Sequence, residues 1–422
     1  MDILNHIVYP QSAEHLILLK YLLFITLMIL LPYLSILIGT LSFSLINFSD
    51  GKDNYLNNKF SKDIINIFTP NKVISFSLGI VPLLSIALCL AQLLFYNLEY
   101  LFSGFLICMV TLVLGIILLY MYKYGLQKNE NSNNSVKYLG IPALLLILFS
   151  TYLFLGLLQI IISQNWNIEN IFSNAMFSAS TLLYFLSFFS ISFVATSCLI
   201  LFKFFKNSDT EKPHEEEYKL LVKKFALRTG LLFSVLQPLL FVLSFLSYPL
   251  KSLSFAYFAI GAIILLLMLL VCILFYKMYT ARQIVLSGET VFFIIILFAF
   301  VVGKDIMAFD TASIIHFEKL KQDYVLHKKK LLENYKPENK NEISGEAIFN
   351  NKCSACHRFD RRLVGPAYKK VLPKYEGHED KLINFILHPR KINPELPIMP
   401  AQGLKPNEAK AIAKYIMQTY KK

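Results

Sequence analysis

The chain has 422 residues, of which 55% are hydrophobic and only 16% charged, and its formal net charge is +13. That balance excludes an ordinary soluble enzyme and places most of the chain in lipid. Of six cysteines, Cys89, Cys108, Cys198 and Cys272 stand singly in apolar runs. A cysteine there is a small buried hydrophobe, so no disulfide is expected.

The first apolar run starts near His15 and reaches about Phe48. It exceeds the roughly 20 residues that span a bilayer and can tilt or bend at Pro32. Being long and lacking a basic leading region, it reads as a retained helix and not as a cleavable leader. Further runs occupy about 73–98, 101–122, 138–163, 176–205, 225–248, 254–278 and 284–303, which makes eight membrane helices.

Lys and Arg concentrate in cytoplasmic loops close to helix ends, so loop charge sets the orientation. The first connection carries Lys52, Lys59, Lys62 and Lys72, the third Lys123, Lys128 and Lys137, and the fifth Lys206, Lys212, Lys219, Lys223 and Lys224. The second and fourth carry none, the sixth only Lys251, and the seventh is flanked by Lys277 and Arg282. Odd connections are therefore expected inside. The N-terminus and everything after the eighth helix are expected on the outer, periplasmic face of a bacterial inner membrane.

Lys20 lies near the outer end of the first run, where its ammonium can snorkel to the surface. Otherwise the spans hold mainly Gln92, Gln159 and Gln237 as polar groups, and no series of buried carboxylates marks a proton pump. A haem b in a bundle needs histidines from facing helices, and helices two to eight contain none. His6 and His15, at the outer end of the first helix, are the candidates, and His15 is either an interfacial polar residue or one ligand of a haem b.

After the last span, Asp310 to Tyr335 mixes charge with apolar residues at Ile314, Phe317, Leu320, Tyr324 and Leu331. This helical spacing predicts a polar stalk that Pro337 ends, with His316 and His327 at its surface. A short flexible link, Pro337 to Ile343, follows.

Beyond it stands Cys353-Ser354-Ala355-Cys356-His357. Two thiols so spaced can bond the vinyl groups of one haem while the adjacent imidazole reaches the iron, which makes the pentapeptide a c-type haem attachment site. A zinc site would need a second ligand pair and a thioredoxin-like centre a βαβ setting, and neither is present. Leu363-Val364-Gly365-Pro366 follows, and 42 residues after His357 comes Met399 within Pro397-Ile398-Met399-Pro400. A thioether in a proline-bracketed loop suits a sixth axial ligand, and Met/His ligation raises the potential. Met417, His378 and His388 are the rival ligands, the first on a terminal helix and the others in polar surroundings.

Residues 344 to 422 resemble a class I cytochrome c. Ser344-Gly345-Glu346-Ala347-Ile348-Phe349 would open its first helix and Asn407 to Tyr420 form its last. The resemblance implies that these helices cross through Gly345, Phe349 and Tyr415, and that the Pro366 carbonyl accepts the free ring N–H of His357. It implies one covalent haem c. The expected architecture is all-α: an integral membrane bundle at 1–303, a helical stalk and linker at 304–343, and a cytochrome c domain at 344–422.

More distantly, the membrane region is similar to subunit I of the cytochrome bd quinol oxidases, through the outward N-terminus and Glu14-His15-Leu16. That family's later haem-ligating His has no counterpart here and its glutamate-rich oxygen site is missing. The resemblance therefore implies a quinol site or a docking surface and not oxygen reduction.

From Ile343 onward 15 Lys and Arg face 7 Asp and Glu, so this part carries 15 − 7 = +8. Such a charge steers acidic redox partners or meets anionic headgroups, and an outward haem domain excludes nucleic acid. The leading expectation is a membrane-anchored mono-haem cytochrome that relays single electrons to an acidic redox protein or a membrane respiratory complex. A second makes it a quinol-oxidising subunit, part of a quinol:cytochrome c oxidoreductase with the cytochrome as built-in acceptor. A third, a transporter or scaffold with a haem sensor, would need internal repeats with broken helices, and the sequence shows no convincing ones.

Overall fold

The computed structural model describes residues 11–48, 55–94, 98–128, 136–163, 177–205, 213–281, 283–334 and 344–421. Helix dominates and, among the described residues, no strand occurs. Backbone groups in lipid are thus satisfied within their own helices, the condition for crossing a bilayer. The chain divides into two compact units, Met1–Lys328 and Lys329–Lys422.

The first unit is a helix bundle: α1 (Ala13–Asn47), α2 (Tyr55–Phe68), α3 (Lys72–Leu94), α4 (Leu98–Lys128), α5 (Lys137–Ser163), α6 (Ala179–Phe205), α7 (Pro213–Leu246), α8 (Phe255–Thr280), α9 (Ser287–Ala312) and the start of α10 (Ile314–Asn334). Among the described residues eight helices, all of these except α2 and α10, are long and apolar enough to cross a membrane, in agreement with the apolar runs. Helix α1, capped by the Ser12 hydroxyl, is the hub: it packs against α2, α3, α5, α6 and α9, and Leu30, Ile38 and Leu41 are fully buried in it. Leu232, Leu239 and Leu266 on α7 and α8 are exposed, as side chains facing lipid tails are.

Several boundaries differ from the sequence reading. Helix α2 fills part of the first connection, burying Phe60, Ser61, Ile64 and Ile65, and the Ser61 hydroxyl donates to the Ser44 carbonyl at 2.8 Å. Its apolar face is too short to stand out as a run. Helix α4 extends past the predicted run, so Lys123 is buried and donates to the Thr69 carbonyl instead of lying in a loop. Lys219, Lys223 and Lys224 sit on α7, which begins at Pro213. Helix α9 continues to Ala312, carrying Lys304 and Asp305 inside the bundle beyond the expected end at 303. His6, Lys52, Lys206, Lys212, Arg282 and the Pro337 to Ile343 link lie outside the described residues.

Two side chains are better partnered than expected. Lys20 does more than snorkel: its Nζ lies 2.8 Å from Asp310 Oδ1 and 4.0 Å from the Phe317 ring centroid. His316 is half-buried and not a surface residue, with Nε2 2.9 Å from the Leu93 carbonyl oxygen. Both contacts seat the start of α10 on the bundle, where Phe317 and Leu320 are buried, whereas Leu331 further along is exposed.

The second unit is small and helical. Helix α11 (Gly345–Ile348), capped by the Ser344 hydroxyl, winds into a wider turn over Phe349–Cys353. It is followed by α12 (Tyr368–Val371), α13 (Glu379–Leu387) and α14 (Pro406–Tyr420). Ala409, Ile412, Ala413, Ile416 and Met417 put a three-four repeat of apolar residues on one face of α14, the signature of a helix that buries one stripe. That stripe meets Phe349, Leu372, Leu382 and Ile386 to form the core. Proline at the first turn and the Glu408 carboxylate, which accepts the Lys405 N–H at 2.8 Å, start the helix.

Candidate functional site

Helices α11 and α14 cross at Gly345, where an added Cβ would lie 2.1 Å from the Ala411 carbonyl oxygen, so only glycine lets the backbones approach this closely. One turn on, the Phe349 and Tyr415 rings meet with centroids 5.6 Å apart. The crossing anchors the helical segment that ends in Cys353.

At its end the Cys353 carbonyl accepts the N–H groups of both Cys356 at 3.1 Å and His357 at 3.0 Å. The chain therefore turns, and both thiols and the imidazole reach one cleft. The returning loop is laced to the motif: Gly365 N–H donates to the Cys356 carbonyl at 2.9 Å and Tyr368 N–H to the Arg358 carbonyl at 3.0 Å. Gly365 lies against the His357 ring, and a Cβ there would sit 2.2 Å from Cε1. On the same ring Tyr368 stacks at 4.9 Å, tilted by 15°. His357 Nδ1 lies 3.5 Å from the Pro366 carbonyl oxygen, a long contact that directs Nδ1–H to that oxygen.

Burial holds the His357 imidazole below its usual range, with the Pro366 carbonyl opposing it. Burial raises the Cys353 thiol, with Lys352 opposing.

The cleft measures about 270 Å³, and Cys353, Cys356, His357, Pro366 and Met399 all line it. The α14 stripe forms part of its wall through Ile412 and Ile416. The rival ligands stand elsewhere: Met417 packs in the core, and His378 and His388 at the two ends of α13 do not line the cleft. A donor set of two thiols, one imidazole and one thioether around a large, mostly apolar space fits a c-type haem. Lys352 Nζ donates to the Gln402 carbonyl at 3.1 Å, tying the Met399 loop to the motif helix.

Sequence reasoning missed the cleft's other polar residues. Lys374, Arg390 and Lys391 line it, yet in the sequence they are only part of a diffuse excess of positive charge. Tyr368 likewise carries no motif, and its stacking on His357 emerges only from the fold.

A cytochrome c family profile matches residues 343–420. Over 78 residues the chain is 38% identical to cytochrome c-551 of Pseudomonas denitrificans, covering 18% of this chain and 95% of that protein. It is also 38% identical over 77 residues to cytochrome c-551 of Stutzerimonas stutzeri, covering 17% of this chain and 74% of that protein. For cytochrome c-551 of Pseudomonas aeruginosa the identity is 36% over 77 residues, with 17% and 73% covered. Through this C-terminal domain, a class I cytochrome c, the chain belongs to the cytochrome c family. It is thus an electron-transfer protein with a c-type haem, joined to a bundle of membrane-type helices. The distant likeness to cytochrome bd subunit I finds no support: these matches lie in the C-terminal domain, and His15 is exposed.

Proposed function

We propose that the chain is a membrane-anchored mono-haem cytochrome relaying single electrons on the outer face of a bacterial inner membrane, within a respiratory chain. Cys353 and Cys356 hold the haem covalently, His357 and Met399 ligate its iron, and the Pro366 carbonyl orients His357. When bound, the haem supplies reversible one-electron chemistry. The protein's residues exclude water from it, fix its ligands and present it to partners. One observation carries this reading: a single cleft collects the attachment motif and, from 42 residues further on, Met399.

The lysine bias of the odd connections supports an outward cytochrome domain. The membrane bundle holds the domain at the surface, so diffusion to a partner is two-dimensional when that partner is itself a membrane respiratory complex. For a soluble partner, the positive charge of the domain and the Lys374, Arg390 and Lys391 cations at the cleft favour an acidic redox protein. Rapid-mixing measurement of electron transfer to such a protein over a range of ionic strength tests this. The rate falls as salt rises; a salt-independent rate contradicts the acidic-partner assignment.

A further inference from the structure

The membrane unit carries a buried acid–base cluster that electron transfer by the cytochrome does not use. On α9, Lys304 (2% exposed) and Asp305 (7%) pair at 2.5 Å. Asp305 also accepts from the phenol of Tyr248, in the turn after α7, at 2.5 Å, and from that of Tyr184 on α6. Tyr248 in turn accepts from the Gln159 side-chain amide on α5 at 3.0 Å. Both carboxylate oxygens are therefore satisfied. The Lys304 ammonium has three donors; among the described residues one goes to Asp305, and Nζ also lies 4.0, 5.4 and 5.7 Å from the ring centroids of Tyr248, Tyr257 and Tyr184.

Gln237 of α7 (4% exposed) donates its amide N–H to the Ser187 hydroxyl at 3.2 Å. Its carbonyl oxygen is buried without a partner among the described residues. An acceptor left this way costs free energy that water would recover. Lys304 and Gln237 line the same small cavity, along with Ser187, Ser244, Phe241 and Met268. It has room for water, and a buried water needs roughly two to four polar partners. Chemistry calls for a group that both accepts and donates, because Lys304 offers ammonium N–H and Gln237 a bare carbonyl.

We propose that this cavity binds a water molecule, which accepts from Lys304 and donates to Gln237. The water links the ion pair of α9 to α6 and α7, near the end of the bundle where α9 gives way to α10. Tyr248 and Gln159 extend the same network to α5. It is a hydrated polar knot in an otherwise apolar bundle, and it holds the helices from which the chain leaves the membrane unit.

The test is a structure of the full-length protein in lipid nanodiscs at a resolution that shows ordered water, for wild type and Gln237→Leu. One density feature within hydrogen-bond distance of Lys304 Nζ and Gln237 Oε1 is expected, lost in Gln237→Leu while the Lys304–Asp305 pair stays. A void in the wild type, or unchanged density in the variant, overturns the proposal. Should the variant fail to fold, the wild-type map alone decides: ordered density touching both Lys304 Nζ and Gln237 Oε1 supports the proposal and a void there overturns it.

Discussion

Gly365 and His357 are in direct backbone-to-ring contact: a side chain on Gly365 would begin 2.2 Å from His357 Cε1. The imidazole is held by this backbone and by the stacked Tyr368 ring. Gly365→Ala must therefore displace the ring or the loop, an overpacking cost of about 1–3 kcal/mol. We expect a lower yield of haem-loaded protein and an altered ligand spectrum. Purification with a haem-to-protein ratio checks this; a normal ratio and spectrum would show that the contact is loose.

Met399 and Met417 separate ligation from packing. Met399→Ala removes the proposed thioether, so the charge-transfer absorption of Met-ligated iron disappears and the reduction potential drops. Met417→Ala should leave both in place and instead lower stability by about 2–5 kcal/mol through a core cavity. Spectroscopy and thermal unfolding of both variants are enough, and the reverse pattern would make Met417 the ligand.

Of the cytochrome domain, what was legible in the sequence was what chemistry demands locally. Cys353, Cys356 and His357 have the spacing that a c-type haem site needs, and Gly345 sits at a close helix crossing. Tyr368, Lys374, Arg390 and Lys391 were not legible, because the folding of separate segments brings them to the cleft. In the membrane region the apolar runs marked eight spans, as lipid makes length and apolarity obligatory. Lys304 and Asp305 were missed since two adjacent charges at the end of an apolar run read as the exit from lipid. Only the neighbouring Tyr184 and Tyr248 show that the helix keeps them buried.

Lys304 and Asp305 should be more sensitive apart than together. Asp305→Leu leaves a buried ammonium without its counter-charge, a loss of about 3–5 kcal/mol. The double replacement Lys304→Met with Asp305→Leu removes both charges and should recover a large part of that loss. Thermal unfolding of wild type, Lys304→Met, Asp305→Leu and the double variant in one detergent measures the coupling. Additive losses would mean that the two side chains do not act as a pair.

Protonation of His316 should loosen the start of α10. Burial holds this imidazole below its ordinary value of 6.5, against the Leu93 carbonyl contact and with nearby Lys319 adding to the depression. The folded state thus takes up a proton less readily than the unfolded one. Its contribution to stability is complete above about pH 6.5 and is lost as pH falls through the depressed value. Thermal stability of wild type should decline on acidification more steeply than that of His316→Gln, which keeps a donor for Leu93. Parallel pH profiles would remove His316 from the account.

The most direct measurement is a haem count with a reduced-minus-oxidised spectrum on the purified full-length protein, before and after extraction of non-covalent haem. The account predicts one haem per chain, c-type in spectrum and wholly retained by the polypeptide. A chain without retained haem, or one with an additional extractable b-type haem, would contradict it.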